Sequence, residues 1–417
     1  MKLKQKGWMI GMIIEKAKAS ELGVCVERLE YLDDFFSDLI AGGVHSFITF
    51  RVLRSGTLIF NGNYGVMSPG GPPLMEDAIH TIQSVTKPIV ATMCAILQED
   101  GKLDFWDKAQ KYFPGFVGES KDEVILSHLL SHSSGMDEAD MGSFVDSYIE
   151  QELGLKMPGP DTLGDERIAV AMKARSMLGM PEAEHNWRSA EELYDSIKLK
   201  APLSAKPGTA FSYCGTGYQM LADIIQRVSG ECMEDFARRR IFEPLGMSDT
   251  HWVLPASKWN RVVKRDPAHR GADWMNSDDI LTSTSPAGGL KSTMPDLVRF
   301  GQMFLQGGTL GKARILSPAS VRLMITDNNS GLPDSFWRGR YLGSNWGLGW
   351  DVKNGKKDDL GLLRSERSYN HCGYGGARLH IDPDAELVVA LNLVEHDEDS
   401  ACLNHSNSMN ILYSALD

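Results

Sequence analysis

Two β-hairpin signals lie near opposite ends of this chain with a long helical block between them, so the fold must bring the two ends together. Residues 46–65 (SFITFRVLRSGTLIFNGNYG) alternate apolar and polar side chains on both sides of Ser55-Gly56. Alternation with a period of two about a tight small-residue turn is the pattern of a hairpin. Residues 376–394 (GARLHIDPDAELVVALNLV) hold two β-rich runs around Asp382-Pro383-Asp384, a second hairpin. Residues 26–41 carry apolar side chains at helical spacing and predict an amphipathic helix that ends at Gly42-Gly43. Residues 84–99 (SVTKPIVATMCAILQE) predict a buried helix, with Pro88 tolerated in its first turn. Between residues 102 and 290 the periodic stretches are helical and broken by Pro and Gly, and a last helix is predicted over 406–415. A hairpin alone is marginal. The expectation is therefore an α/β (α+β) fold: one antiparallel sheet built from both chain ends, flanked by helices, with a helical domain inserted. The domain boundaries expected are 1–85 and 291–417 for the sheet domain and 86–290 for the helical one. An insertion over 136–202 is placed over the active site.

The length of 417 residues allows a large core without disulfide or metal staples. The net charge of -12 argues against nucleic acid or an anionic membrane as partner. Six scattered cysteines, none in a C-x-x-C, predict reduced thiols and no zinc site. Residues 1–19 imitate a secretory signal: a basic start, an apolar stretch over 7–14, then Ala17-Lys18-Ala19. The apolar stretch is short and Glu15-Lys16 follows at once, so a tail or a first helix is expected, in a cytoplasmic protein. No apolar run is long enough to span a membrane.

Three motifs point to chemistry. Residues 84–87 (SVTK) place Ser84 and Lys87 three apart at the start of a helix, on one face. A serine hydroxyl needs a base beside it to become a nucleophile, and a lysine with a depressed pKa can serve. A helix start also offers N–H groups to a developing oxyanion. On its own this motif reads equally well as a surface Ser and Lys. Residues 207–215 (PGTAFSYCG) add Tyr213 as a second proton carrier before a helix. Residues 371–376 (HCGYGG) open a strand, where glycines let a substrate approach the backbone.

In this order the motifs resemble the S-x-x-K, Y-x-N and K-T-G or H-x-G of the penicillin-recognising serine hydrolases. These include class C β-lactamases, D-Ala-D-Ala carboxypeptidases, family VIII carboxylesterases and 6-aminohexanoate-dimer hydrolases. Residues 126–135 (LSHLLSHSSG), 241–247 (IFEPLGM), 287–293 (AGGLKST) and 346–350 (WGLGW) extend the resemblance over roughly 30 to 400. It implies Ser84 as nucleophile, Lys87 as its base and Tyr213 as proton shuttle. It also implies an oxyanion hole from the Ser84 and Tyr374 N–H groups, and His371 in place of the third-motif cation. Two departures bear on substrate. Gly215 replaces the Asn of Y-x-N, which helps to bind acylamino groups. His371 replaces a permanent lysine cation. Both suit a neutral, largely apolar acyl ester.

The reading is therefore a carboxylesterase for short-chain acyl esters, with no cofactor and no metal. Substrate contacts are expected from His371, Gly373, Gly215 and Trp187. Lactam, peptide or amide hydrolysis on the same fold is the alternative, and a non-catalytic binding protein is the alternative of another class. Cys214 and Cys372 read as space-filling residues. His128 and His132, four apart, read as capping or packing groups rather than metal ligands. Met157, Leu163, Met172, Met177 and Met180 in the insertion fit either helix packing or an apolar lid.

Overall fold

Ser55 and Gly56 both adopt positive φ, 48° and 73°, the backbone that closes a two-residue hairpin in register with strand twist. The computed structural model describes residues 2–6, 9–13, 15–159, 164–334, 344–358, 360–394 and 398–417. Its main sheet has eight strands: β1 (Lys2–Lys6), β2 (Met9–Ile13), β3 (Phe47–Arg54), β4 (Thr57–Gly65), β5 (Asp351–Val352), β6 (Tyr369–Gly373), β7 (Ala377–Asp382) and β8 (Leu387–Leu393). The spatial order is β1-β2-β4-β3-β8-β7-β6-β5, and the named pairings are antiparallel. The two hairpins meet where β3 pairs with β8, from Leu387↔Arg54 to Leu393↔Ile48. One sheet is thus sewn from both chain ends, as the two hairpin signals require.

β8 (LVVALNL) is almost continuously apolar because both faces are covered. Val388 and Ala390 enter one core, while Leu387, Val389 and Leu391 enter the other. The second core is closed by helices α1 (Val26–Ala41) and α8 (Glu398–Tyr413), whose Phe36, Met409 and Leu412 are fully buried. Phe36 lies against Phe50, Phe60 and Tyr64. Burial of such a ring contributes about 1.5–3 kcal/mol. The first core is closed by α7 (Met294–Leu305) and by α2 (Thr86–Glu99), in which every residue from Thr86 to Leu97 is buried. Pro88 sits in the first turn of α2, where its missing N–H costs no helix bond.

Two expectations change, and the helical insertion gains detail. The start of the N-terminal segment is not a tail: β1 and β2 form a hairpin that extends the sheet edge through β2 on β4, and the expected first helix follows it as a short turn of helix over Lys16–Glu21. The last helix begins at Glu398, not at 406. The insertion builds a three-helix unit, α3 (Glu138–Leu153), α4 (Asp165–Met177) and α5 (Trp187–Lys198), with a small core of its own. Met157 is buried in that core, Met172 and Met180 pack against it, and Met177 is exposed. Leu163 lies outside the described residues. Among the described residues, no helix is long and apolar enough to cross a membrane.

Candidate active site

Ser84 lies in a 3-10 turn (Gln83–Val85) that leads directly into α2. The preceding residue, Gln83, has φ 47°, a left-handed conformation that a non-glycine side chain adopts at a cost. Thr86 Oγ1 donates to the Gln83 carbonyl at 2.6 Å and accepts from the Leu290 N–H at 3.2 Å, tying the turn to the 287–293 loop. Lys87, three residues on, is buried and donates to Ser84 Oγ at 3.1 Å and to the Ala287 carbonyl at 2.7 Å. Its ammonium nitrogen lies 4.6 Å from the Tyr213 ring centre and 5.5 Å from that of Tyr218. Burial lowers its pKa to about 7, against a smaller upward pull from Glu138.

Tyr213 ends the 207–213 segment just before helix α6 (Gly215–Ser229). Its hydroxyl hydrogen-bonds with Ser84, and desolvation holds the phenol well above its usual range. Around neutral pH, Lys87 is thus partly a free amine and Tyr213 is protonated. The first is a base and the second an acid.

β6 runs against the serine turn. A Cβ on Gly373 would stand 2.2 Å from the Ile82 carbonyl oxygen, so only glycine permits this approach. Both groups are backbone and neither can swing away. Gly373→Ala should therefore push the strand off the turn, lowering kcat/KM by about a hundredfold and stability by about 1–3 kcal/mol. Steady-state kinetics and urea melts check this; a fully active, fully stable variant would contradict it.

His371, on β6, is buried and donates from Nδ1 to the Cys372 carbonyl at 2.8 Å. Burial first, then the neighbouring Lys87, lower its pKa to about 3, so it is neutral and offers no cation. Tyr374 follows the strand with an exposed ring that lies tilted against Trp274, 5.6 Å between ring centres, and the Arg270 guanidinium lies 4.4 Å from its centre.

An open recess of 560 Å³ adjoins Gly215 and Ala287. Its insertion face consists of Glu138, Arg188, Glu191, Glu192, Asp195 and Lys198. None of the insertion methionines lines this recess, and neither do Ser84, Lys87, Tyr213 or His371. Trp187 opens α5 beside the recess, with its ring 6.1 Å from Tyr194, and the next residue, Arg188, does the lining.

Two residues gain a place that their local sequence did not show. His132 lies beyond the short helix Leu126–Leu130, at φ 57°, so it shares no helix face with His128. It accepts the Cys214 N–H at Nδ1 (3.0 Å), and its ring lies 4.3 Å from that of Tyr213. His128 accepts from the Ile125 N–H, a capping contact. Glu138 reaches from the insertion to the start of α6. Neither has a local signature, because the partners lie 82 and 77 residues away.

The beta-lactamase family model matches residues 32–400. This chain belongs to that family. Penicillin-binding protein 4 of Amycolatopsis lactamdurans is 26% identical to this beta-lactamase family member, over 78% of this chain and 75% of the relative. A penicillin-binding protein homolog from Caulobacter crescentus superposes with TM-score 0.67 at 21% identity, covering 94% of this chain and 99% of the other. A family VIII carboxylesterase superposes with TM-score 0.68 at 19% identity, covering 94% and 99%. Lactam-binding and ester-cleaving members thus share the fold of this one, and substrate has to be argued from the site.

Proposed function

We propose that the protein is a serine hydrolase that forms an acyl-enzyme on Ser84 and cleaves short-chain carboxylic esters. The carrying observation is the buried Lys87 amine 3.1 Å from Ser84 Oγ, beside a tyrosine that stays protonated. Lys87 takes the Ser84 proton as Oγ attacks the ester carbonyl, while the N–H groups of Ser84 and Tyr374 receive the oxyanion. Tyr213 gives its proton to the departing alkoxide and recovers one from the water that releases the acid.

Charge supports a neutral ester over a carboxylate-bearing lactam or peptide. His371 is neutral, and the recess carries Glu138, Glu191, Glu192, Asp195, Asp223 and Glu234 against Arg188 and Lys198. An anionic substrate group reaching into this recess, which borders the site at Gly215 and Ala287, would be repelled there. The second reading, lactam hydrolysis, has Arg270 beside Tyr374 in its favour as an alternative cation. Turnover of p-nitrophenyl butyrate against nitrocefin separates the two. The ester is expected to lead in kcat/KM by about a hundredfold, roughly 3 kcal/mol in the transition state. The reverse ranking would overturn the ester reading.

A further inference from the structure

We propose that Glu138, supplied by the insertion, is a positioning residue for the catalytic pair, fixing the turn that presents Tyr213 and keeping a negative charge beside Lys87. The inference rests on the proposed acyl-enzyme chemistry and deepens it.

The geometry starts at a helix end. The first N–H groups of a helix have no partner within it and are normally capped by the residue just before. Here that residue is Cys214, whose side chain makes no cap bond. Glu138 does the capping from a remote segment. Its Oε2 accepts the Gly215 N–H at 3.0 Å and the Thr216 N–H at 3.2 Å. The Thr216 hydroxyl and the Cys214 thiol donate to the same carboxylate at 3.3 Å. A carboxylate also suits the positive end of the helix dipole. Tyr213 immediately precedes this capped turn, so the carboxylate and the His132 bond to the Cys214 N–H together hold the segment that presents the phenol.

The insertion is clamped on itself at the same point. Lys198, the last residue of α5, pairs with Glu138, the first residue of α3. Burial alone would raise the Glu138 carboxyl, but Lys198 and the Cys214 and Thr216 donors hold it at about 2, so it is ionised throughout the working range. Glu138 is the largest upward influence on Lys87. The other groups facing Lys87 are the Ser84 hydroxyl, Tyr213 and Cys214 before α6, Tyr218 on α6, His132, and His371 and Cys372 on β6. Both histidines are driven neutral by burial, and both tyrosines and Cys214 are driven toward their protonated forms.

A purely structural cap and a charge-setting cap differ in sign. Removing the negative charge destabilises the Lys87 ammonium and lowers its pKa. The free amine then persists to lower pH, and the acid limb of the activity profile moves down. Removing Lys198 leaves Glu138 uncompensated and moves that limb up.

The test is the rate at which a fluorophosphonate labels Ser84 in the full chain between pH 5 and 9, for wild type, Glu138→Gln and Lys198→Met. In this reaction Ser84 Oγ displaces fluoride from phosphorus and its proton passes to Lys87, so no knowledge of the natural ester is needed. Glu138→Gln keeps a carbonyl to accept the helix N–H groups. It is expected to shift the acid limb down by about half a pH unit and to slow labelling about tenfold at its plateau. Lys198→Met is expected to shift the limb upward. Limbs that stay in place, or move the same way in both variants, overturn the inference while leaving Ser84 as nucleophile. Wild type that is not labelled at all overturns the proposed function itself, and the inference with it.

Discussion

Replacing Ser84 with alanine should reduce ester turnover about 10⁴-fold or more while leaving the protein folded. The expected size follows from what remains. Without Oγ no acyl-enzyme forms, and substrate binding and oxyanion donors alone give only slight catalysis. The fold should survive because Ser84 is partly exposed in its turn, and Lys87 keeps the Ala287 carbonyl and two aromatic faces. Losing one hydrogen bond costs about 1 kcal/mol, well within ordinary domain stability. Two thiols near the site are the rival nucleophiles. Cys214 is a poor one, since burial drives its pKa up and its sulfur donates to Glu138. Steady-state kinetics with a p-nitrophenyl ester, fluorophosphonate labelling and a thermal melt check the prediction. Residual activity above about a hundredth of wild type, with the fold intact, would move the nucleophile elsewhere.

What the chain disclosed depends on how locally each feature is encoded. The 46–65 hairpin, α1 and the start of α2 were legible because turn chemistry, periodicity and a tolerated Pro88 each act within a few residues. The S-x-x-K contact is local too: residues three apart across a turn bring Nζ to Oγ at 3.1 Å. The N-terminal hairpin was not legible. Its runs KLKQK and MIGMI are short, and they become strands as the first pairs with the second and the second with β4, as at Ile13↔Phe60. That is a tertiary choice that local propensity does not contain. The insertion was legible as helices but not as a surface. Its methionines were consistent with either a core or a lid. Met157, Met172 and Met180 pack into or against the unit's own core, built by Val145, Ile149, Ile168 and Leu193, while Met177 is exposed, and Glu138 of α3 and the charged face of α5 are left toward the recess. For the same reason Glu138 was invisible as a capping group: a carboxylate that caps a helix 77 residues later has no short-range pattern.

Lys87→Met and Tyr213→Phe should each lower kcat about 10²- to 10⁴-fold, and the double variant should lose far less than the product of the two. Each substitution is chosen to spare packing. Methionine nearly fills the volume of the buried lysine between the Tyr213 and Tyr218 rings, where alanine would leave a cavity. Phenylalanine keeps the ring on His132, 4.3 Å away, and deletes only the hydroxyl that meets Ser84. KM should change little in both, because neither polar group is asked to bind the ground state. The non-additivity has a physical source. Lys87 Nζ and the Tyr213 hydroxyl both hydrogen-bond to Ser84 Oγ, so they belong to one proton path. Once Lys87 is gone, Ser84 is no longer deprotonated in the attack, and a Tyr213 proton waiting for the leaving group has no tetrahedral intermediate to serve. Removing it as well then costs little more. If Lys87 and Tyr213 instead acted in separate steps with separate partners, their losses would multiply. A double-mutant cycle on kcat decides between these cases: a double variant slower than the slower single by the full factor of the other would break the shared path, and Tyr213 would then have to act without Ser84 as intermediary.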